Sequence, residues 1–224
     1  MRGLVILLLG VFLILPVQPA AAQVPPSGSE IASYRGLHAA AHAGDAVEIG
    51  RLIGQGTDPN ARDAHGRTPL HVAAFAARHE AMRALVRGGA DPRALESQRY
   101  DTITIAAVRD DVATLRVAIE IGGNPKAITS PYEGTALIAA AHLGHDGVVS
   151  ELIRAGAPLD HVNNLGWTAL IEAVILGDGG QRHVEVVRAL VAAGARRDIA
   201  DRDGATPIEH ARRRGYAAIE TLLR

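Results

Sequence analysis

Gly66-Arg67-Thr68-Pro69-Leu70-His71-Val72-Ala73-Ala74 is the stretch whose reading decides the fold. Each residue type has a physical use there. Gly66 permits a backbone turn that a Cβ would strain. Thr68 suits the N-cap of a following helix, and Pro69 its first position, where no N–H is required. Leu70 opens a buried stripe, and Ala73-Ala74 let a neighbouring helix approach closely. The leucine position returns as Leu37, Leu70, Ile103, Leu137, Leu170 and Ile208, at steps of 33, 33, 34, 33 and 38 residues. Between those positions, apolar residues at i, i+3, i+4 spacing fall in two short runs, which read as two antiparallel helices. Gly56, Gly89, Gly122, Gly156 and Gly194 recur just past the second run, where a left-handed residue ends a helix without strain.

This pattern resembles the ankyrin repeat, whose signature is T-P-L-H-x-A. The resemblance covers residue 33 to the C-terminus. It implies an all-α repeat solenoid, an array of about six helix–turn–helix units with short β-hairpin or turn connections. The units fall near 33–62, 63–95, 96–129, 130–162, 163–200 and 201–224. It also implies that His38 and His71, at the signature position, hydrogen-bond neighbouring turns, and that His145 and His183 belong to the family's Gly-His step. Unit three departs most: Asp101-Thr102 stands for Thr-Pro and Arg99 replaces the turn glycine, which puts its fingertip turn in question. The step of 38 comes from extra residues in Gly177-Asp178-Gly179-Gly180-Gln181-Arg182, between the paired helices of unit five. Lengthening a surface loop costs little, and loops also carry function more often than helices do. Residues 159–180 and 130–145 are further similar to a subgroup of exported bacterial ankyrin proteins.

Composition narrows the classes of function. Of 224 residues, 48% are apolar and 21% charged, as in a folded protein. With 23 Lys+Arg against 24 Asp+Glu, no basic excess exists to bind nucleic acid. Residues 1–22 read as a secretory signal peptide: Arg2, an apolar run over 3–15, Pro16, then Ala20-Ala21-Ala22 at the cleavage positions. The run is shorter than the ~20 residues that span a bilayer. A mature chain starting at Gln23, periplasmic or secreted and without stable membrane insertion, is expected. Residues 23–32, with Pro25-Pro26-Ser27-Gly28-Ser29, read as a flexible leader. The absence of cysteine excludes disulfides, thiol catalysis and cysteine-ligated zinc.

Catalytic patterns are missing. Ser33, Ser130 and Ser150 lack a G-x-S-x-G context, Lys126 is the one lysine, and the glycines sit at repeat turns. His42 and His142 share a variable column but lie three repeats apart, far beyond the ~2 Å reach of common zinc ligands. No enzyme, cofactor or metal site is expected. The aromatic residues are more informative. Tyr34, Tyr100 and Trp167 share the position just before the Thr-Pro equivalent, with Arg67 in the same column. Tyr132 sits at a neighbouring fingertip, and Phe75 and His142 at the ends of inner helices. The resemblance places these positions on the hairpin side of the concave face. With Asp178 in the insertion, they form an expected outward-facing partner-binding surface, because Tyr, Trp and Arg are enriched at interaction hot spots. The alternative use of the same column is to shield hairpin bases. A monomer binding an unidentified envelope or exported protein is expected, as stabiliser, inhibitor or immunity-type protein. The rival reading is a small-ligand sensor or accessory, by analogy in stress defence, using a polar groove near unit five lined by Glu172, Asp178, His161 and Asn163.

Overall fold

One side-chain oxygen builds the turn that precedes the inner helix in each of units two to six. In the computed structural model, which describes residues 23–224, Asp63 Oδ1 accepts from the backbone N–H groups of His65 and Arg67, both at 2.9 Å. Glu96, Ser130, Asn163 and Asp201 accept in the same way from the residues two and four places on, at 2.9–3.3 Å. That shared duty explains why this column holds only residues with a side-chain oxygen. Adjacent turns are then tied together: Ser97 N–H donates to the His65 carbonyl, Ser130 N–H to Arg99 and Asn164 N–H to Tyr132, each at 3.0 Å. A Cβ on Gly66, at φ +71°, would lie 2.7 Å from Ser97 Oγ, so this joint requires glycine. Unit three manages without one. Arg99 takes φ +66° itself, and Glu96 N–H still closes on the Tyr100 carbonyl at 3.0 Å. The turn in question forms, at a left-handed strain of about 1–2 kcal/mol.

A first helix, α1 (Gly28–Ser33), precedes six helix pairs. The pairs are α2 (Gly36–Ala43) with α3 (Ala46–Gly54), α4 (Pro69–Phe75) with α5 (His79–Arg87), and α6 (Thr102–Val108) with α7 (Val112–Glu120). They continue as α8 (Ala136–His142) with α9 (Asp146–Arg154), α10 (Ala169–Ile175) with α11 (Gln181–Ala192), and α12 (Pro207–Arg214) with α13 (Ala217–Leu223). One strand pair forms among the described residues, β1 (Ile128–Thr129) antiparallel to β2 (Gly134–Thr135). Thr68 and Thr206 start their helices with capping boxes, while Thr135 and Thr168 accept from the third N–H. Asp101 does this in unit three, accepting from Thr104 N–H at 2.8 Å, which is why loss of Thr-Pro there is tolerated.

Helices this short do not persist alone; about 12–15 residues are needed in water. Stacking supplies the difference. The first helix of each pair packs on the first of the next, and the second on the second. Leu70, Ile103, Leu137 and Leu170 are buried in the inner layer beside Ala73, Ala74, Ala106, Ala107, Ala140 and Ala141. Ile49, Leu85, Leu115, Leu152, Leu190 and Leu223 close the outer layer. The architecture is an all-α solenoid.

Two expectations are corrected. The leader is not a free segment: Ser27 and Glu30 form the capping box that starts α1, and Glu30 pairs with Arg67 and with His65 Nε2. Composition pointed to flexibility, but these ion pairs hold the leader against unit two. The insertion is only partly loop, since α11 has 12 residues where α3, α5, α7 and α9 have 9. The expected signal segment, 1–22, lies outside the described residues.

Candidate functional site

The aromatic column does not form an outward row. Arg67 is 1% exposed: its Nε donates to Asp63 Oδ2 at 2.7 Å and its other arm pairs with Glu30. Tyr34 Oη donates to the same Asp63 oxygen at 2.9 Å. Burial pushes the Asp63 carboxyl up, but the bonds from Arg67 and Tyr34 outweigh it and hold the group low. Burial and the bond to Asp63 push the Tyr34 phenol well above its usual range. Tyr100 is 6% exposed, inside the apolar core. Arg67 and Tyr100 are thus closed off, the first because two carboxylates neutralise it, the second because it packs between units. Tyr34, Phe75, Tyr132, His142 and Trp167 are half-buried, and Asp178 is exposed.

A polar cluster lies instead between units four and five. Asn163 uses Oδ1 for its turn, and its Nδ2 donates to Glu172 Oε1 at 2.7 Å. Glu172 Oε2 lies 3.6 Å from His142 Nδ1. Glu172 occupies, on α10, the position that Val72 and Ile105 hold in units two and three, and it is buried as they are. Burial pushes its carboxyl up to about 7, opposed by the Asn163 bond. His142 is pushed down by burial and then by His183 and His145. In unit six the same two columns pair again, His210 Nε2 with Asp201 Oδ2 at 2.7 Å.

His38 and His71 bond backbone of the next unit, as the resemblance implies, and His145 and His183 reach back to the unit before. His38 meets the Arg67 carbonyl at 3.1 Å and His71 the Tyr100 carbonyl at 3.2 Å. His145 meets Ala107 at 2.8 Å and His183 meets His142 at 3.0 Å. Of the four residues expected to line a groove near unit five, Asn163 and Glu172 touch each other. His161 is engaged with the Glu133 carbonyl at 2.7 Å, and Asp178 is held by Gly180 N–H and His183. The link between His142 and Glu172 was not expected from the sequence; its signal is a glutamate in a column that is apolar in units one to four. Among the described residues, no group of three His, Asp or Glu is placed to hold a metal.

Exposed apolar side chains are concentrated between β1 and the end of α10, at both ends of the inner helices. Ile128, Leu143, Val162, Leu165 and Leu176 are five of the seven strongly exposed large hydrophobics among the described residues. Leu143 and Leu176 end α8 and α10, and Val162 and Leu165 flank the turn tied to Tyr132.

The family profile described as Ankyrin repeats (3 copies) matches residues 27–96 and 103–195. The chain belongs to the ankyrin-repeat family. The crystal structure of an ankyrin repeat domain from Acinetobacter baumannii AYE is 43% identical, covering 84% of this chain and 95% of its own, with a TM-score of 0.78. The ankyrin repeat protein EF0377 is 31% identical over 85% of this chain and 98% of its own, with a TM-score of 0.77. The ankyrin repeat domain of Bcl-3, a member of the IkappaB family, shares the fold at 22% identity, 86% and 99% coverage and a TM-score of 0.70. The ankyrin repeat protein YahD of Escherichia coli (strain K12) is 40% identical over 81 residues. That match spans 36% of this chain and 40% of YahD's length. Ankyrin repeats are generally non-enzymatic protein–protein interaction modules. No helix among the described residues is long and apolar enough to cross a membrane.

Proposed function

We propose that this chain recognises a protein partner through the turns and inner-helix ends of units four and five, in the bacterial envelope. The observation that carries the docking surface is the concentration of exposed Ile128, Leu143, Val162, Leu165 and Leu176 between β1 and the end of α10, with half-buried Tyr132 and Trp167 in the same stretch. Exposed apolar patches of this kind mark interaction sites, and Tyr and Trp are the usual anchors. Arg67, by contrast, is already occupied by the leader and by its own turn. The partner is an exported or envelope protein that the array stabilises, inhibits or neutralises. The location rests on Arg2, the apolar run over 3–15 and Ala20-Ala21-Ala22; sequencing the periplasmic form should find Gln23 first, and retention of residues 1–22 overturns it.

A small-ligand reading centred on Glu172 has no enclosing cavity among the described residues to support it. Two open hollows, one at Val191, Arg196 and Asp198 and one at Gly44, Arg78 and Arg83, lie elsewhere. The docking surface is tested by charge. Leu176→Glu should change stability by no more than the ~0.5 kcal/mol usual at surface sites. It should weaken capture of the stoichiometric envelope partner about tenfold or more if Leu176 is a hot spot. Val47→Glu, at a more exposed site on α3, should leave capture unchanged. Equal effects of the two substitutions overturn the assignment.

A further inference from the structure

Several half-buried carboxylates here meet an arginine: Asp63 and Glu30 share Arg67, and Glu151 has Arg116 and Arg154. Buried Glu172 does not. Among the described residues, no Lys or Arg nitrogen lies within 4.0 Å of its oxygens. Asn163 satisfies Oε1 only, and its amide cannot turn, because Oδ1 is fixed by the N–H groups of Leu165 and Trp167. Oε2 is left with His142 Nδ1 at 3.6 Å, too far for a hydrogen bond. The equivalent residue of α8 is half-exposed Ala139, so unit four sets only a methyl group beside the carboxyl. Exposed Leu176 lies four residues on, on the same helical face.

We propose that Glu172 is the anchor for a basic side chain, Lys or Arg, of the protein partner. This rests on the docking surface described above. The incoming cation donates to Oε2 while Asn163 keeps Oε1, and its aliphatic stem lies along Leu176, as long basic side chains do on apolar surface. A charge-assisted bond in a partly dry site is among the stronger polar contacts. The groups facing Glu172 set the pH dependence: His142 from α8, neutral Asn163 from the turn, and His210 on α12, which is committed to Asp201. Acid protonates Glu172 and charges His142. Both changes disfavour a bound cation.

The experiment selects random displayed peptides on the full chain at a pH near 8. Binders should share one basic residue whose replacement by a neutral isostere lowers affinity about tenfold or more. Glu172→Gln should do the same, the double change should add little, and lowering the pH to about 6 should weaken binding to the wild type more than to the variant. Binders that protect α8 to α10 from hydrogen exchange yet need no basic residue, or bind Glu172→Gln unchanged, overturn the anchor and leave the docking surface standing. Absence of binders, or binders that never protect units four and five, overturns both. Glu172→Gln keeps an acceptor for Asn163; if it melts early, the peptide substitution and the wild-type pH series decide alone.

Discussion

Glu172 and His71 pull stability in opposite directions with pH. The Glu172 carboxyl rises from 4.5 to about 7 on folding, so the folded chain holds its proton more tightly. Its contribution is fullest below 4.5 and is lost as pH rises to about 7, an effect on the order of 3 kcal/mol. His71 falls from 6.5 to about 4 because it is buried. Its Nδ1 accepts from Thr68 and its Nε2–H meets the Ala94 and Tyr100 carbonyls, an arrangement of the neutral ring. Stability from His71 is therefore lost as pH falls from 6.5 towards 4. The two terms offset each other in the wild type. Glu172→Gln should raise the melting temperature near pH 8 and make it fall more steeply on acidification. Parallel melting profiles for the two proteins would show that Glu172 is not buried as described. The sequence shows this residue only as an acid in the column of Val72 and Ile105. The burial of Arg67 and Tyr100 left no such mark, because exposure depends on what packs over a position, and Glu30 of the leader reaches Arg67 from 37 residues away.

At the level of elements, the segment between α10 and α11 works as a fastening. Arg182, on the added part of α11, reaches Asp146 Oδ1 at 3.4 Å and Asp110 Oδ2 at 2.5 Å. From the other side, Tyr216 Oη donates to the Gly177 carbonyl at 3.0 Å. Repeat arrays normally couple each unit to its neighbours alone, whereas Arg182 joins unit five to unit three. Exposed ion pairs contribute only about 0.2–1 kcal/mol each, so the effect should be local. Arg182→Ala is expected to speed amide exchange around residues 109–112 and 145–148 while leaving α4 and α5 unchanged. Unaltered exchange at both places would mean that the link does no holding. The interval of 38 residues revealed the insertion but not its shape. Gln181-Arg182-His183 carries no breaker to separate loop from helix, and nothing local points to Asp110.

Across the whole molecule, the repeat made the architecture legible because every interval is local: a turn oxygen, a capping residue, two stripes. What repeats least was least legible, namely the leader, the unit-five insertion and the charge in the unit-five column. The Arg182 link also has a mechanical meaning. Stretched between its ends, the array should come apart in unequal steps. Unit six, joined to unit five by stacking and the Tyr216 bond, lets go at low force. Unit five is fastened to two earlier units and should yield at a higher one, lengthening the tether by its 38 residues, roughly 130 Å at ~3.5 Å per residue. Force spectroscopy should record that taller second peak in the wild type and its loss in Arg182→Ala. Peaks of equal height in both proteins would mean that the long reach to Asp110 bears no tension.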